Sequence, residues 1–235
     1  MRVLKQVFAL IFFAFILLIS NIASAQSPAM QQFCEEKIGK VVINFTSSYG
    51  KLRYDKNRGS KFLKREQQKL KKSTNDWKTL GLSTSNPTLE VSVEVESYSL
   101  GGTVCVVPAK IDIFFGYINP TIYIAREIAD NKCRRKVVMR HEKTHQQINI
   151  LALEYFLPQM KSLITKRIKE MKPIYVDKNK NKCVAQQAGE MKDIIVERMT
   201  VLVEQFNNFI EKEQSKLDNP ENYLFESEIC NDEQP

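Results

Sequence analysis

V-V-M-R-H-E-K-T-H-Q-Q-I-N-I-L-A-L-E-Y-F, residues 137–156, contains the motif H-E-x-x-H at positions 141–145. Two histidines four positions apart lie on one face of a helix, so both imidazoles can reach a single metal ion. A glutamate beside the first histidine can act on a water molecule that the metal holds. The chain has only two histidines, and both are in this motif. The stretch therefore predicts a zinc-binding helix with His141 and His145 as ligands and Glu142 as general base.

The two histidines lie on the apolar side of this helix. At about 100° per residue, they share a face with Val137, Val138, Ile148, Ala152, Tyr155 and Phe156. Inward imidazoles either bind a metal or act as core residues, and in the second case each ring needs its own hydrogen-bond partner. The pattern favours the metal site and leaves the core role as the alternative.

The residues ahead of the motif support a family resemblance. Residues 110–115 and 121–125 are typical of strands, and residues 116–120 between them are typical of a turn. Strand, strand and H-E-x-x-H helix follow one another in zincin-type metallopeptidases, and residues 110–156 resemble that region. The likeness is greater to secreted bacterial zincin-like proteins of undefined role than to any peptidase of known specificity.

The resemblance implies both a fold and a reaction. The implied fold is α+β and zincin-like, with an antiparallel sheet followed by the H-E-x-x-H helix and a C-terminal helical part. The implied reaction is hydrolysis of a peptide or protein substrate, with Zn²⁺ as cofactor and Glu142 moving the proton. A free backbone edge at residues 111–115 would hold the extended substrate. A non-catalytic metal-binding protein of the same fold, acting at the cell envelope, is the alternative.

A catalytic zinc usually takes three protein ligands, and no third histidine exists here. This excludes the metzincin subclass and favours a gluzincin-like site, in which a glutamate comes from a later helix. Glu190 is the first candidate, because Asp193 follows it at a spacing similar to the gluzincin pattern in which an aspartate orients a histidine. The other candidates are Glu197, Glu154 and Glu170.

The N-terminal residues 1–25 have the features of a secretory signal. Arg2 and Lys5 precede an apolar run at residues 7–19, and A-S-A at residues 23–25 matches a signal peptidase site. Cleavage there would lower the formal charge from +8 to +6, because it removes two basic residues. The prediction is a secreted or periplasmic protein; an uncleaved anchor is the alternative, although the run is shorter than the roughly 20 residues of a membrane span.

Much of the positive charge lies in the segment from Lys51 to Lys78, with eleven basic residues against three acidic ones. Such a segment either binds an anionic envelope surface or forms the solvated face of a helix. The sequence has no nucleic-acid-binding motif, so nucleic acid is not expected as a partner.

Five cysteines follow the signal segment, namely Cys34, Cys105, Cys133, Cys183 and Cys230. In an exported protein they are candidates for disulfides, and the odd number leaves one over. The predicted pair is Cys105 with Cys133, which would tie a central strand to the start of the motif helix. Ligation of the metal by cysteine is the alternative, although no C-x-x-C spacing supports it.

Hydrophobic periodicity predicts which parts of the remaining chain form strands and which form helices. One zincin-like domain is expected over residues 26–216, with an antiparallel meander at about residues 40–125 and helices at about residues 133–216. Pro158 is expected to kink or end the motif helix. The acidic residues 217–235 are expected to form a loosely held tail.

Overall fold

The computed structural model describes residues 28–71, 78–100, 103–177 and 184–230. The predicted signal segment and Cys183 lie outside these ranges. The helices are α1 (Pro28–Ile38), α2 (Ser60–Lys71), α3 (Lys132–Lys169), α4 (Val184–Leu217) and α5 (Pro220–Glu228). The strands are β1 (Val42–Thr46), β2 (Arg53–Asp55), β3 (Gly81–Thr84), β4 (Pro87–Leu100), β5 (Thr103–Tyr117), β6 (Thr121–Ile124) and β7 (Ile174–Asp177). The α+β class is as predicted. Within these ranges, no helix has the length and hydrophobicity needed to cross a membrane.

The main sheet is mixed, with strand order β1-β5-β4 and with β7 paired to the first residues of β5. Strand β1 runs parallel to β5, with Val42 opposite Lys110 and Thr46 opposite Phe114. The predicted antiparallel meander is therefore wrong, because the long connection from β1 to β5 permits parallel pairing. Since β4 pairs with the other side of β5, residues 111–115 have no free edge. The substrate edge predicted there is wrong.

A second, three-stranded sheet has the order β2-β6-β3. Its central strand β6 is the strand predicted at residues 121–125, whereas sequence periodicity did not reveal β3. Strand β3 pairs antiparallel with β6 and packs against α3 near the motif. Leu82, Ile122 and Ile124 bury their side chains in the core of this sheet, which brings the β3 backbone close to the motif helix.

The motif helix α3 passes through Pro158 and continues to Lys169. The helix therefore does not end at Pro158, which was one of the two predicted effects of this proline. A proline inside a helix removes one backbone hydrogen bond. Here Leu153, Phe156 and Met160, on both sides of the proline, are buried in one core cluster, and their burial offsets that loss. At the other end, the side chain of Asn131 caps the helix by accepting a hydrogen bond from the backbone N–H of Arg134 at 2.8 Å.

Helices α3 and α4 pack antiparallel over one face of the main sheet. Ile195 of α4 belongs to the same buried cluster as Ile164 and Ile168, near the end of α3. Further along α4, Phe206 meets Phe156, with ring centroids 5.6 Å apart. This direction brings the last turn of α4 to the motif and takes its first turn away from it.

Two disulfides join distant parts of the chain: Cys34 with Cys105, and Cys133 with Cys230. The predicted pair of Cys105 with Cys133 is therefore wrong. Cys105 lies at the part of β5 that α1 covers, whereas Cys133 lies in the first turn of α3. The second disulfide also shows that residues 218–230 are not a loose tail, because they form α5 and are tied to the motif helix.

Candidate metal centre

The motif histidines are buried, with 4% of His141 and 6% of His145 exposed, as the apolar face of the helix predicted. Their Nε2 atoms lie 3.1 Å apart. The Oδ1 atom of Asp218 lies 3.2 Å from the first and 3.0 Å from the second. Three potential ligand atoms thus form a nearly equilateral triangle, and this group could hold a metal ion.

Asp218 reaches the histidines because the chain turns sharply where α4 ends. Helix α4 ends at Leu217, and the side chain of Asn219 caps α5 by accepting a hydrogen bond from the backbone N–H of Asn222 at 2.9 Å. Pro220 then starts α5, where a missing N–H costs nothing. The sequence D-N-P therefore sets two helices at an angle, and Asp218 lies at the turn between them.

Glu190 and Glu197 lie far from this triangle along α4. Gln214 of the same helix contacts His145. Glu190 precedes Gln214 by about 24 residues, which is about 36 Å of helix, and Glu197 by about 17 residues, which is about 26 Å. Among the described residues, the third member of the group that could hold a metal is Asp218, and Glu190 does not belong to that group.

Glu154 and Glu170 also have other neighbours. The carboxylate of Glu154 is exposed and accepts a hydrogen bond from the hydroxyl of Tyr49 at 3.0 Å. Glu170 follows the last residue of α3, where Arg167 donates to it at 3.1 Å. Neither belongs to the histidine group.

The triangle has the size of a metal coordination face. In a tetrahedral site with bonds of about 2.0–2.2 Å to nitrogen and oxygen, ligand atoms lie about 3.3–3.6 Å apart. The three separations in this group, 3.0–3.2 Å, are close to that value. Only a small outward movement of the three side chains would admit an ion.

The Nδ1 atoms of the two histidine rings, on the side away from the triangle, each lie near an oxygen atom. The Nδ1 atom of His145 contacts Oε1 of Gln214. The Nδ1 atom of His141 lies 3.0 Å from Oε2 of Glu226, a charge contact rather than an aligned hydrogen bond. An aligned acceptor such as the one beside His145 orients a metal-binding histidine and favours the tautomer that turns its Nε2 lone pair to the metal.

Tyr223 of α5 covers the other side of the group. Its ring stacks on His141, with centroids 5.3 Å apart, and its hydroxyl donates to Oδ1 of Asp218 at 2.6 Å. Helix α5 therefore supplies contacts to two members of the triangle.

Negative charge is concentrated around the histidines. Burial acts to lower the pKa of His141, but the hydrogen bond that the Asp218 carboxylate accepts from the ring and the charges of Glu142, Glu226 and Asp218 together raise it. Burial, followed by the charge of Asp218, raises the pKa of Tyr223. A positive charge is favoured at this position, as a bound cation would be.

The chain matches no protein-family model, no curated protein and no solved structure. The functional assignment therefore depends on the chemistry of the site.

Glu142 is 5% exposed and lies against the backbone of β3. A Cβ atom at Gly81 would lie only 2.4 Å from Oε1 of Glu142 and 2.5 Å from Cγ1 of Val138. The neighbouring residue Gln146 contacts the hydroxyl of Ser83 and accepts a hydrogen bond from the hydroxyl of Ser85 at 2.8 Å. Strand β3 is thus held directly beside the motif glutamate.

Sequence reasoning missed Asp218, Gln214 and Tyr223. The D-N-P sequence indicates a helix break, and Cys230 indicates that the tail has a covalent partner. Neither feature indicates which helix the tail faces. Only the antiparallel packing of α3 and α4 brings these residues to the histidines.

Proposed function

We propose that the protein is a zinc-dependent peptidase with His141, His145 and Asp218 as metal ligands. The convergence of three acceptor atoms is the observation that carries the proposal. The Nε2 atoms of His141 and His145 and the Oδ1 atom of Asp218 converge on one point, and the contact of His145 Nδ1 with Gln214 favours a lone pair on the Nε2 atom of that ring. Three acceptors 3.0–3.2 Å apart repel one another unless a cation or a proton lies between them. Two imidazoles and one carboxylate are a ligand set typical of catalytic zinc.

Glu142 is the proposed general base. A zinc ion would lower the pKa of its water ligand and polarise a substrate carbonyl. The Glu142 carboxylate lies close enough for its charge to raise the pKa of His141 and Tyr223. In the proposed reaction this carboxylate takes a proton from the attacking water and gives it to the leaving amine.

The proposed substrate site is the outer edge of β3. Among the described residues, β3 pairs with β6 on one side and with no strand on the other. An extended peptide can add to such an edge through main-chain hydrogen bonds. Because Gly81 lies against Glu142, a peptide bound there would pass beside the base.

We propose that the protein works outside the cytoplasm, in the periplasm or after secretion. The structure has two disulfides, and in most proteins disulfides persist only in an oxidising compartment. The signal segment expected at residues 1–25 agrees with this location. The anionic envelope surface suggested by residues 51–78 stays a prediction; α2 buries Leu63 completely, as a helix with one solvated basic face would.

Metal content tests the proposed ligands. We expect about one zinc ion per chain in the wild-type protein, measured by elemental analysis after dialysis against a zinc buffer. His145→Ala should lose the ion. Loss of an outer-sphere partner typically weakens metal binding about 10–100-fold, and Asp218→Asn should weaken zinc binding by more than this. Glu190→Gln is the matched control and should bind zinc normally. Wild-type protein that takes up no metal would overturn the proposal, and zinc loss in the control would restore Glu190 as a ligand.

A non-catalytic metal-binding protein is the second candidate, and burial of the motif favours it. His141, Glu142 and His145 are each no more than 6% exposed, and α5 contacts the group from outside. Structural zinc sites are closed, whereas catalytic ones keep a position open. Stoichiometric zinc without hydrolysis of any member of a mixed peptide library would favour this candidate over the peptidase.

Replacing Gly81 by alanine is expected to impair hydrolysis without removing the metal. The new Cβ would overlap Oε1 of Glu142 and Cγ1 of Val138, so the carboxylate must move. A shift of about 1 Å at a catalytic group can cost about 100-fold in rate. The measurement is kcat/KM for a peptide substrate beside zinc content. Gly189→Ala is the control, because its Cβ would meet nothing within 4 Å. Equal activity in both variants would show that β3 does not position the base.

A further inference from the structure

Gln214 contacts the motif helix through its whole side-chain amide. Its Nε2 atom donates to the backbone carbonyl of His145 at 3.3 Å and to Oδ1 of Asn149 at 3.0 Å. Its Oε1 atom contacts Nδ1 of the His145 ring. Asn149 is buried and Gln214 is half-buried, so this network lies at the partly buried contact between α3 and α4.

These contacts fix the orientation of the amide. The backbone carbonyl of His145 can only accept, so the atom that faces it must be the amide nitrogen of Gln214, which donates to it. Oε1 then faces the imidazole and can only accept. The His145 ring must therefore carry a proton on Nδ1, and in the neutral ring this leaves the Nε2 lone pair facing Asp218 and His141.

The backbone of Gln214 holds the third member of the triangle. Its carbonyl oxygen accepts a hydrogen bond from the backbone N–H of Asp218 at 3.0 Å. This bond closes the last turn of α4 and sets the point at which the chain leaves the helix. One residue thus contacts His145 through its side chain and Asp218 through its main chain.

We propose that Gln214 is the positioning residue of the metal centre. It sets the tautomer of His145 and aligns the end of α4, so that the ring nitrogen and the Asp218 carboxylate meet at one point. This role rests on the proposed metal site, although the tautomer itself does not depend on a metal. Removing the amide should release the ring and weaken metal binding together.

Long-range ¹H–¹⁵N NMR of the metal-free full chain tests the first part. The protein has only two histidines, so His141→Asn assigns the spectrum. We expect His145 to be protonated on Nδ1 in the wild-type protein and to give a mixture of both tautomers in Gln214→Leu. Gln214→Glu keeps an acceptor at this position and should keep the Nδ1–H form. An unchanged tautomer in Gln214→Leu would overturn the proposal.

Zinc titration of the same proteins tests the second part. Loss of an outer-sphere partner typically lowers metal affinity about 10–100-fold, and we expect this range for Gln214→Leu. Gln205→Leu is the matched control, since Gln205 is an exposed residue of the same helix, and it should bind zinc as the wild type does. An equal loss in both variants would refute a specific role for Gln214. If the wild type binds no zinc, the metal proposal fails, and the NMR result still decides whether Gln214 orients the ring.

Discussion

Glu142→Gln is expected to retain zinc and to lose hydrolysis. Glutamine has nearly the same size as glutamate, so it fits the buried position beside Gly81. It cannot accept a proton from water, and general acid–base catalysis typically contributes about 10²–10⁴-fold to a rate. The loss should therefore appear in kcat, with zinc content near one ion per chain.

The measurement is peptide cleavage with purified wild-type and variant proteins, beside their zinc content. Glu154→Gln is the control on the same helix, because that carboxylate is exposed and bonded to Tyr49; its activity should be unchanged. Turnover that survives in Glu142→Gln would show that another group is the base. Zinc loss in the variant would instead show that Glu142 supports the metal site.

Removing the disulfide between Cys133 and Cys230 is expected to weaken both the fold and the metal site. No residue of α5 is fully buried, so the helix is held by the contacts of Tyr223 and Glu226 at the site and by this disulfide. The bond closes a loop with a sequence separation of 97. Loss of such a bond typically costs about 2–5 kcal/mol of unfolding free energy. Because α5 follows directly after Asp218, its release should also lower zinc affinity.

The test compares Cys133→Ser/Cys230→Ser with Cys34→Ser/Cys105→Ser by denaturant unfolding and zinc titration. The disulfide between Cys34 and Cys105 has a sequence separation of 71 and joins α1 to β5, away from the motif. Both variants should lose stability, but only the first should bind zinc less tightly. Equal zinc affinity in the two variants would show that the histidine group forms without covalent attachment of α5.

The motif helix and its buried face could be predicted from the sequence, because helical periodicity is a local property. His141 and His145 lie four positions apart, so any helix brings their rings to one side. The amphipathic helix α2 and the alternating strand β4 follow from the same kind of local pattern.

The third member of the candidate metal site, the sheet order and the disulfide pairs were decided only by the tertiary structure. Glu190 lies near the start of α4 and Asp218 just after its end. The direction in which α4 runs along α3 determines which of the two acidic residues reaches the histidines. Strand β1 pairs with β5 in parallel because residues far apart in sequence bury one core together. These long-range contacts depend on how whole helices and strands pack, and hydrophobic periodicity does not indicate which elements pack together.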